Sequence, residues 1–191
     1  MNKKNFSENC NLSSYTTIKV GGVAEYFAEP KSVEEFSYLI KWANLNKQRC
    51  QIIGAGSNLL INNIFIKGLV VCTKKLKSLE IKPYSGIVEA EAGVMLPTLS
   101  NSLAKNGLQG GEWAVGIPGT LGGAIYMNAG TGNLSLAKNL ISVKVINNKT
   151  LEKLEIEKKD INFDYRFSSF QKNDLMLVQD FILILMEILN N

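Results

Sequence analysis

The sequence predicts an α+β fold in two lobes. Three observations carry that prediction. Short apolar strands and one capped amphipathic helix fill the opening stretch, as in a βαβ-like lobe. A second set of strands, again with a helix, begins at Ile87. Each set holds one Gly-rich loop: Gly54-Ala55-Gly56-Ser57-Asn58 in the first, and the run Gly116–Gly130 in the second.

Thr16-Thr17-Ile18-Lys19-Val20 and Val23–Pro30 read as two short strands around Gly21-Gly22. Ser32 lies three residues before Glu35 and just after Pro30, a capping box for a helix through Phe36, Leu39, Ile40 and Ala43. Gln51-Ile52-Ile53 is a buried strand leading into the first Gly-rich loop, and Leu59–Ile61 and Gly68–Val71 read as two more. Ile87–Val94 alternates as a strand does. Leu96, Leu99 and Leu103 mark a helix from Leu96 to Asn106, with Gly107 as its C-cap. Ile141–Ile146 and Leu151–Ile156 are strands joined by the turn Asn147-Asn148-Lys149. Asp160–Phe163 is a short link, Tyr165–Phe170 sets charge among aromatics, and Leu175–Leu189 makes one or two strands.

The 191 residues suffice for one domain with a good core or for two small lobes. Apolar residues make up 46% and charged residues 20%, an ordinary globular balance. The net charge of +4 is nearly all lysine, scattered from Lys3 to Lys172, which marks a solvated surface rather than a nucleic-acid footprint. The absence of histidine excludes Ser-His-Asp and Cys-His catalysis within the chain, a His-containing zinc site, and flavin attached covalently through His. Cys10, Cys50 and Cys72 are odd in number and far apart, and read as free thiols in a reducing cytosol. Met1–Ser14 lacks the apolar core of a secretory leader, and Asp180 and Glu187 interrupt the apolar tail, which is too short to span a bilayer. A cytoplasmic protein is the expectation.

Five glycines stand among residues 116–130. Glycine permits positive φ and lets a ligand approach bare N–H groups. Successive backbone donors of this kind cradle phosphates. Two such loops suggest a ligand with a long anionic spine, such as a dinucleotide; tight turns in a Gly-rich domain are the other reading. Only two arginines occur, Arg49 and Arg166, and Arg is the preferred residue for bidentate anion recognition. Arg49, in a Lys-rich loop, reads as solvated.

Thr17-Ile18-Lys19-Val20-Gly21-Gly22, then Gly54–Ile61, then Gly116–Ala124 with Met127-Asn128-Ala129-Gly130, then Tyr165-Arg166-Phe167-Ser168 together resemble the UDP-N-acetylenolpyruvoylglucosamine reductase (MurB) family, from about residue 12 onward. The resemblance implies an FAD domain of the vanillyl-alcohol-oxidase/PCMH type, two α+β subdomains (1–75 and 76–191) with FAD held non-covalently between them. It implies NADPH as hydride donor, UDP-N-acetylglucosamine enolpyruvate as substrate, UDP-N-acetylmuramate for peptidoglycan as product, and neither nucleic-acid nor membrane partner. Gly54, Ala55, Gly56, Ser57, Asn58 and Leu59 would bind the diphosphate side of FAD. Gly116, Ile117, Pro118, Gly119, Thr120, Gly122 and Gly123 would pack along the flavin, and Asn128 would donate to a cofactor or substrate oxygen. Arg166 occupies the place of the catalytic Arg, where a guanidinium stabilises charge that develops during hydride addition. A structural Arg stacked among Phe163, Tyr165 and Phe167 is the other reading.

The family also implies a C-terminal substrate domain with a Ser proton donor in a Gly-Ser-x-Phe-Lys-Asn-Pro segment, and a late Glu. Neither motif occurs here. Loss of a proton donor costs about 10²–10⁴-fold, so the chain alone is expected to turn over weakly or not at all. A non-catalytic FAD-binding module completed by another chain is the alternative. The final apolar strand is expected to end unpartnered and to expose a patch open to self-association.

Overall fold

The computed structural model describes residues 6–62, 64–172, 175–185 and 187–188, the last two ranges by their backbone alone. The first sheet contains β1 (Ser7–Asn11), β2 (Val23–Ala28), β3 (Cys50–Ile53) and β4 (Phe65–Cys72), in the order β1-β2-β4-β3. β2 and β3 both run parallel to β4, and β1 runs antiparallel to β2. Helix α1 (Val33–Leu45) lies between β2 and β3 in sequence. The Ser32 hydroxyl accepts from the Glu35 amide at 3.3 Å, and the Glu35 carboxylate accepts from the Lys31 amide at 2.8 Å. These bonds satisfy donors the helix leaves open at its start. Phe36, Leu39, Ile40 and Ala43 then bury one face against Leu69 and Val71 of β4. Full burial of each large side chain contributes about 1.5–3 kcal/mol.

Two strand expectations fail in this lobe. Residues 16–20 form a loop after a 3₁₀ turn, Leu12–Tyr15. The Thr16 hydroxyl donates to the Val20 carbonyl at 2.7 Å, which folds the segment back on itself and prevents extension. Residues 59–61 are also loop, with Leu60 80% exposed. Because β3 and β4 are parallel, the chain must travel back the length of a strand between them, and residues 54–62 lie on that return path.

The second sheet contains β5 (Leu79–Lys82), β6 (Ile87–Ala90), β10 (Leu140–Asn147), β11 (Lys153–Glu157) and β14 (Leu175–Leu185). Its order is β11-β10-β14-β6-β5, and every neighbouring pair is antiparallel. The expectation of an unpartnered final strand is corrected: β14 is the central strand, its two edges taken by β10 and β6. Helix α2 (Leu96–Lys105) starts with Pro97 in its first turn and packs Leu96, Leu99 and Leu103 into a cluster with Val88, Ala90, Val143 and Val145. Ile146 of β10 is buried in the α1 cluster instead, so the second sheet abuts the first lobe.

Smaller elements decorate this sheet. β7 (Leu108–Gln109) pairs with β15 (Glu187–Ile188), and α3 (Leu121–Tyr126) follows the second Gly-rich loop. β8 (Gly130–Thr131) pairs with β9 (Leu134–Ser135), next to the single turn α4 (Leu136–Asn139). β12 (Phe163–Asp164) and β13 (Phe167–Ser168) form a hairpin that carries Tyr165 and Arg166 at its tip.

Candidate cofactor cleft

The two Gly-rich loops meet. The Ser57 hydroxyl donates to the Pro118 carbonyl at 2.9 Å. A Cβ placed on Gly54 would lie 2.3 Å from Thr120 Oγ1, so the loops touch there without room for a side chain. Thr120 is buried and caps α3. Residues 92–96 back the second loop: Leu121 donates to Val94 O at 2.8 Å, Gly122 to Ala92 O at 2.9 Å, and Leu96 to Gly119 O at 3.0 Å. On the other side the Thr17 amide donates to Gly56 O at 3.1 Å. Gly56 has φ +67, and a Cβ there would sit 2.0 Å from the Tyr15 carbonyl, so only glycine fits.

Between the loops lies a cleft of about 320 Å³. Ala55 and Ser57 line it from one loop and Pro118 and Gly119 from the other; Lys19 and Lys74 add two cations. Ser14, Tyr15 and Thr17 bring hydroxyl groups. A larger cleft, of about 500 Å³, lies beside the start of α1 and contains none of the Gly-rich residues. There Ser32 accepts from the Glu35 amide and Glu35 from the Lys31 amide, and Glu34 and Glu91 bring negative charge. The smaller cleft is the one that both Gly-rich loops line, with hydroxyls and lysines and no acidic residue.

The site glycines divide in two. Gly54, Gly56 and Gly122 are small because the protein itself crowds them; a Cβ on Gly122 would meet Ala92 Cβ at 3.0 Å. Gly116 has no heavy atom within 4 Å of such a Cβ, and a Cβ on Gly123 would make only ordinary contact, 3.5 Å from Thr120 Oγ1. Both are exposed. Ile117 is half-buried against the core of the second lobe, whereas Asn58 and Leu59 are on the exposed side of the first loop.

Arg166 stands at the tip of the β12–β13 hairpin with φ 53. Its guanidinium donates to the Gly130 carbonyl at 2.9 Å and lies 5.2 Å from the centre of the Tyr165 ring. Asn128, 9% exposed and with φ 43, holds that hairpin. Its amide nitrogen donates to Asp164 O at 2.9 Å, and its oxygen accepts from the Ala137 amide at 3.3 Å. Ser168 Oγ and Gln171 Nε2 each donate to Tyr126 O at 2.8 Å. The arginine turn is thus clamped to the far end of α3 from Thr120. Six helical residues separate the ends by about 9 Å.

Lys19 and Lys74 are cleft residues that sequence reasoning missed. Reading residues 16–20 as a strand hid Lys19, and the pair Lys74-Lys75 resembled an ordinary solvated surface. Lys74 reaches the cleft because β4 ends beside β3, with Cys72 opposite Ile53. No spacing in the sequence carries that signal. Burial pushes the Cys50 thiol up to about 12 and raises Cys72 as well, which keeps both protonated at neutral pH. Among the described residues, no cluster of three His, Cys, Asp or Glu could hold a metal, and no helix is long and apolar enough to cross a membrane.

Two Gly-rich loops meet over a cleft of hydroxyls and cations, an arrangement that suits a phosphate-bearing dinucleotide. The chain belongs to the FAD-binding domain family, whose profile matches residues 24–150. Within that class it is similar to UDP-N-acetylenolpyruvoylglucosamine reductases. The one from Prochlorococcus marinus subsp. pastoris is 69% identical over 173 residues, 91% of this chain and 58% of that protein. The crystal structure of the Thermus caldophilus reductase (MurB) matches with a TM-score of 0.74 at 27% identity, covering 95% of this chain and 62% of that one. The 6-hydroxy-D-nicotine oxidase of Arthrobacter nicotinovorans matches in fold alone, with a TM-score of 0.65 at 13% identity over 91% of this chain and 38% of that one. These findings bear out the fold class and the family resemblance. The chain spans less than two thirds of the length of either reductase. The donor set of the cleft fits FAD: hydroxyls and two lysines suit a diphosphate, and Gly116, outside the cleft lining, has open space where a Cβ would stand.

Proposed function

We propose that this chain supplies the FAD-binding portion of a cytoplasmic, NADPH-dependent reductase that converts UDP-N-acetylglucosamine enolpyruvate to UDP-N-acetylmuramate for peptidoglycan. The observation that carries this reading is 69% identity, over 91% of the chain, with a protein named for that reductase. Residues 1–75 and 76–191 act as the two cofactor-binding subdomains. FAD, when bound, supplies hydride transfer from NADPH to the substrate. The backbone of Gly54–Asn58 binds and orients the diphosphate, with Ser57 also tying this loop to Pro118. The stretch Gly116–Thr120, with Gly122 and Gly123, forms the wall along the flavin. Asn128 fixes the arginine hairpin by its bonds to Asp164 and Ala137. Arg166 holds a positive charge where negative charge grows on the substrate carboxylate side as hydride arrives, and preorganised charge of this kind lowers the barrier. No residue of this stretch is proposed as the proton donor, because the sequence contains no match to the family's donor motif.

The test is an anaerobic titration of the FAD-loaded chain with NADPH. Bleaching of the visible flavin band supports the reading. FAD that stays oxidised in excess NADPH, in a chain that binds it tightly, refutes the hydride-accepting role.

A further inference from the structure

We infer that Lys19 and Lys74 form a two-cation seat for the diphosphate of the cofactor, and that they make the cleft select a flavin dinucleotide over phosphate-free flavin. The inference rests on the cofactor reading above and goes beyond it by naming the charges that do the selecting. The two lysines come from separate elements, Lys19 from the loop before β2 and Lys74 from the 3₁₀ turn Thr73–Lys75 after β4, yet they line one cleft with Ser57 and Gly119.

Three observations carry it. First, no acidic residue lines the cleft. The larger cleft beside α1, by contrast, mixes its lysines with Glu34 and Glu91. Second, among the described residues neither Lys19 nor Lys74 is in an ion pair, whereas Lys75 pairs with Glu29 at 2.9 Å, Lys82 with Glu89 at 2.6 Å, and Lys159 with Glu157 at 2.6 Å. Glu29, which acts on the cleft residue Tyr15, is itself paired with Lys75, so two further lysines on one concave site favour an anion. Third, the Lys19 backbone is in the left-handed region at φ 58, which glycine or asparagine adopts more readily. It is held there by neighbours: Lys19 N donates to Thr16 O at 3.2 Å, Thr16 Oγ1 to Val20 O at 2.7 Å, and Thr17 N to Gly56 O at 3.1 Å. The same bonds tie this loop to Gly56, so Lys19 lines the cleft from the loop that meets the first Gly-rich turn. A strained non-glycine residue at a cleft is grounds for a functional reading.

The experiment measures the affinity of the purified chain for FAD and for riboflavin by flavin fluorescence, at several salt concentrations. The variants are Lys19→Asn, which tolerates the left-handed backbone, Lys74→Gln, both together, and Lys82→Gln as a control outside the cleft. Each cleft variant is expected to weaken FAD binding about five- to tenfold and the pair roughly thirtyfold, with a shallower salt dependence, as for partly exposed charge-assisted bonds. Riboflavin affinity and the control stay at the wild-type value, and Lys19→Arg restores FAD binding. A double variant that binds FAD like wild type overturns the inference. So does an equal loss for riboflavin, because the lysines would then support the loop and not the phosphates. A wild-type chain that binds riboflavin but gains nothing from the dinucleotide overturns this inference alone. A folded wild-type chain that binds neither flavin overturns the cofactor reading and the inference with it.

Discussion

Gly116→Ala separates a glycine kept for a ligand from one kept for the fold. The added methyl has no heavy atom within 4 Å and no positive φ to oppose it. Loop Gly→Ala changes of that kind stabilise by about 0.4–1 kcal/mol through the unfolded state. The chain should therefore unfold at the same urea concentration or slightly higher. If a flavin ring packs on that backbone, the methyl holds it off, and FAD affinity should fall at least about tenfold, or 1.4 kcal/mol. Gly56→Ala should behave in the opposite sense. Its Cβ would lie 2.0 Å from a main-chain oxygen at φ +67. The left-handed penalty is about 1–2 kcal/mol, and the displaced loop loses the bond from Thr17, worth about 1 kcal/mol more. A destabilisation of about 2–3 kcal/mol follows, with cofactor affinity lost alongside. Urea unfolding and flavin fluorescence titration on both variants give the four numbers needed. A Gly116→Ala chain that binds FAD like wild type refutes the reasoning, as does one destabilised by more than about 1 kcal/mol.

Asn128→Ala removes the bonds to Asp164 O and the Ala137 amide at a buried position, and should cost about 1–3 kcal/mol in urea unfolding; an unchanged midpoint would show that water replaces both. Arg166→Ala should leave FAD affinity within about twofold, because the guanidinium is held by Gly130 and the Tyr165 ring rather than by a cleft residue; a large loss of FAD binding would contradict its placement on the substrate side. The folded Cys50 thiol keeps its proton to about 12, against 9.0 for an unperturbed thiol. Between those values the unfolded chain binds fewer protons, so stability falls as pH rises. The stability advantage of wild type over Cys50→Ala should shrink by about 1 kcal/mol between roughly pH 8 and pH 10, and an advantage that is flat with pH would place the thiol in water.

Much of the site was legible because glycine and capping signals are local. The Ser32 cap, the Leu96–Leu99–Leu103 face and both Gly-rich loops each depend on residues close in sequence. What stayed hidden depends on pairing across the chain. Nothing within Leu59–Ile61 tells that β4 lies parallel to β3 and so demands a return loop. Nothing within Leu175–Leu185 tells that β10 and β6 flank it on both sides. Lys74 enters the cleft only because Cys72 pairs beside Ile53. Asn128 illustrates the same limit: its residue type suggested a donor to a ligand, while its bonds to Asp164 and Ala137 give it a second task, bracing the hairpin of Arg166.

The most direct test of the central claim is the visible absorbance spectrum of the purified chain, before and after denaturation, with and without refolding in FAD. A chain that holds FAD non-covalently between these loops should show a flavin spectrum near one equivalent, and the flavin should pass intact into the filtrate on denaturation. A chain whose circular dichroism shows the folded α/β structure, yet which takes up no flavin after refolding with FAD, would contradict the claim.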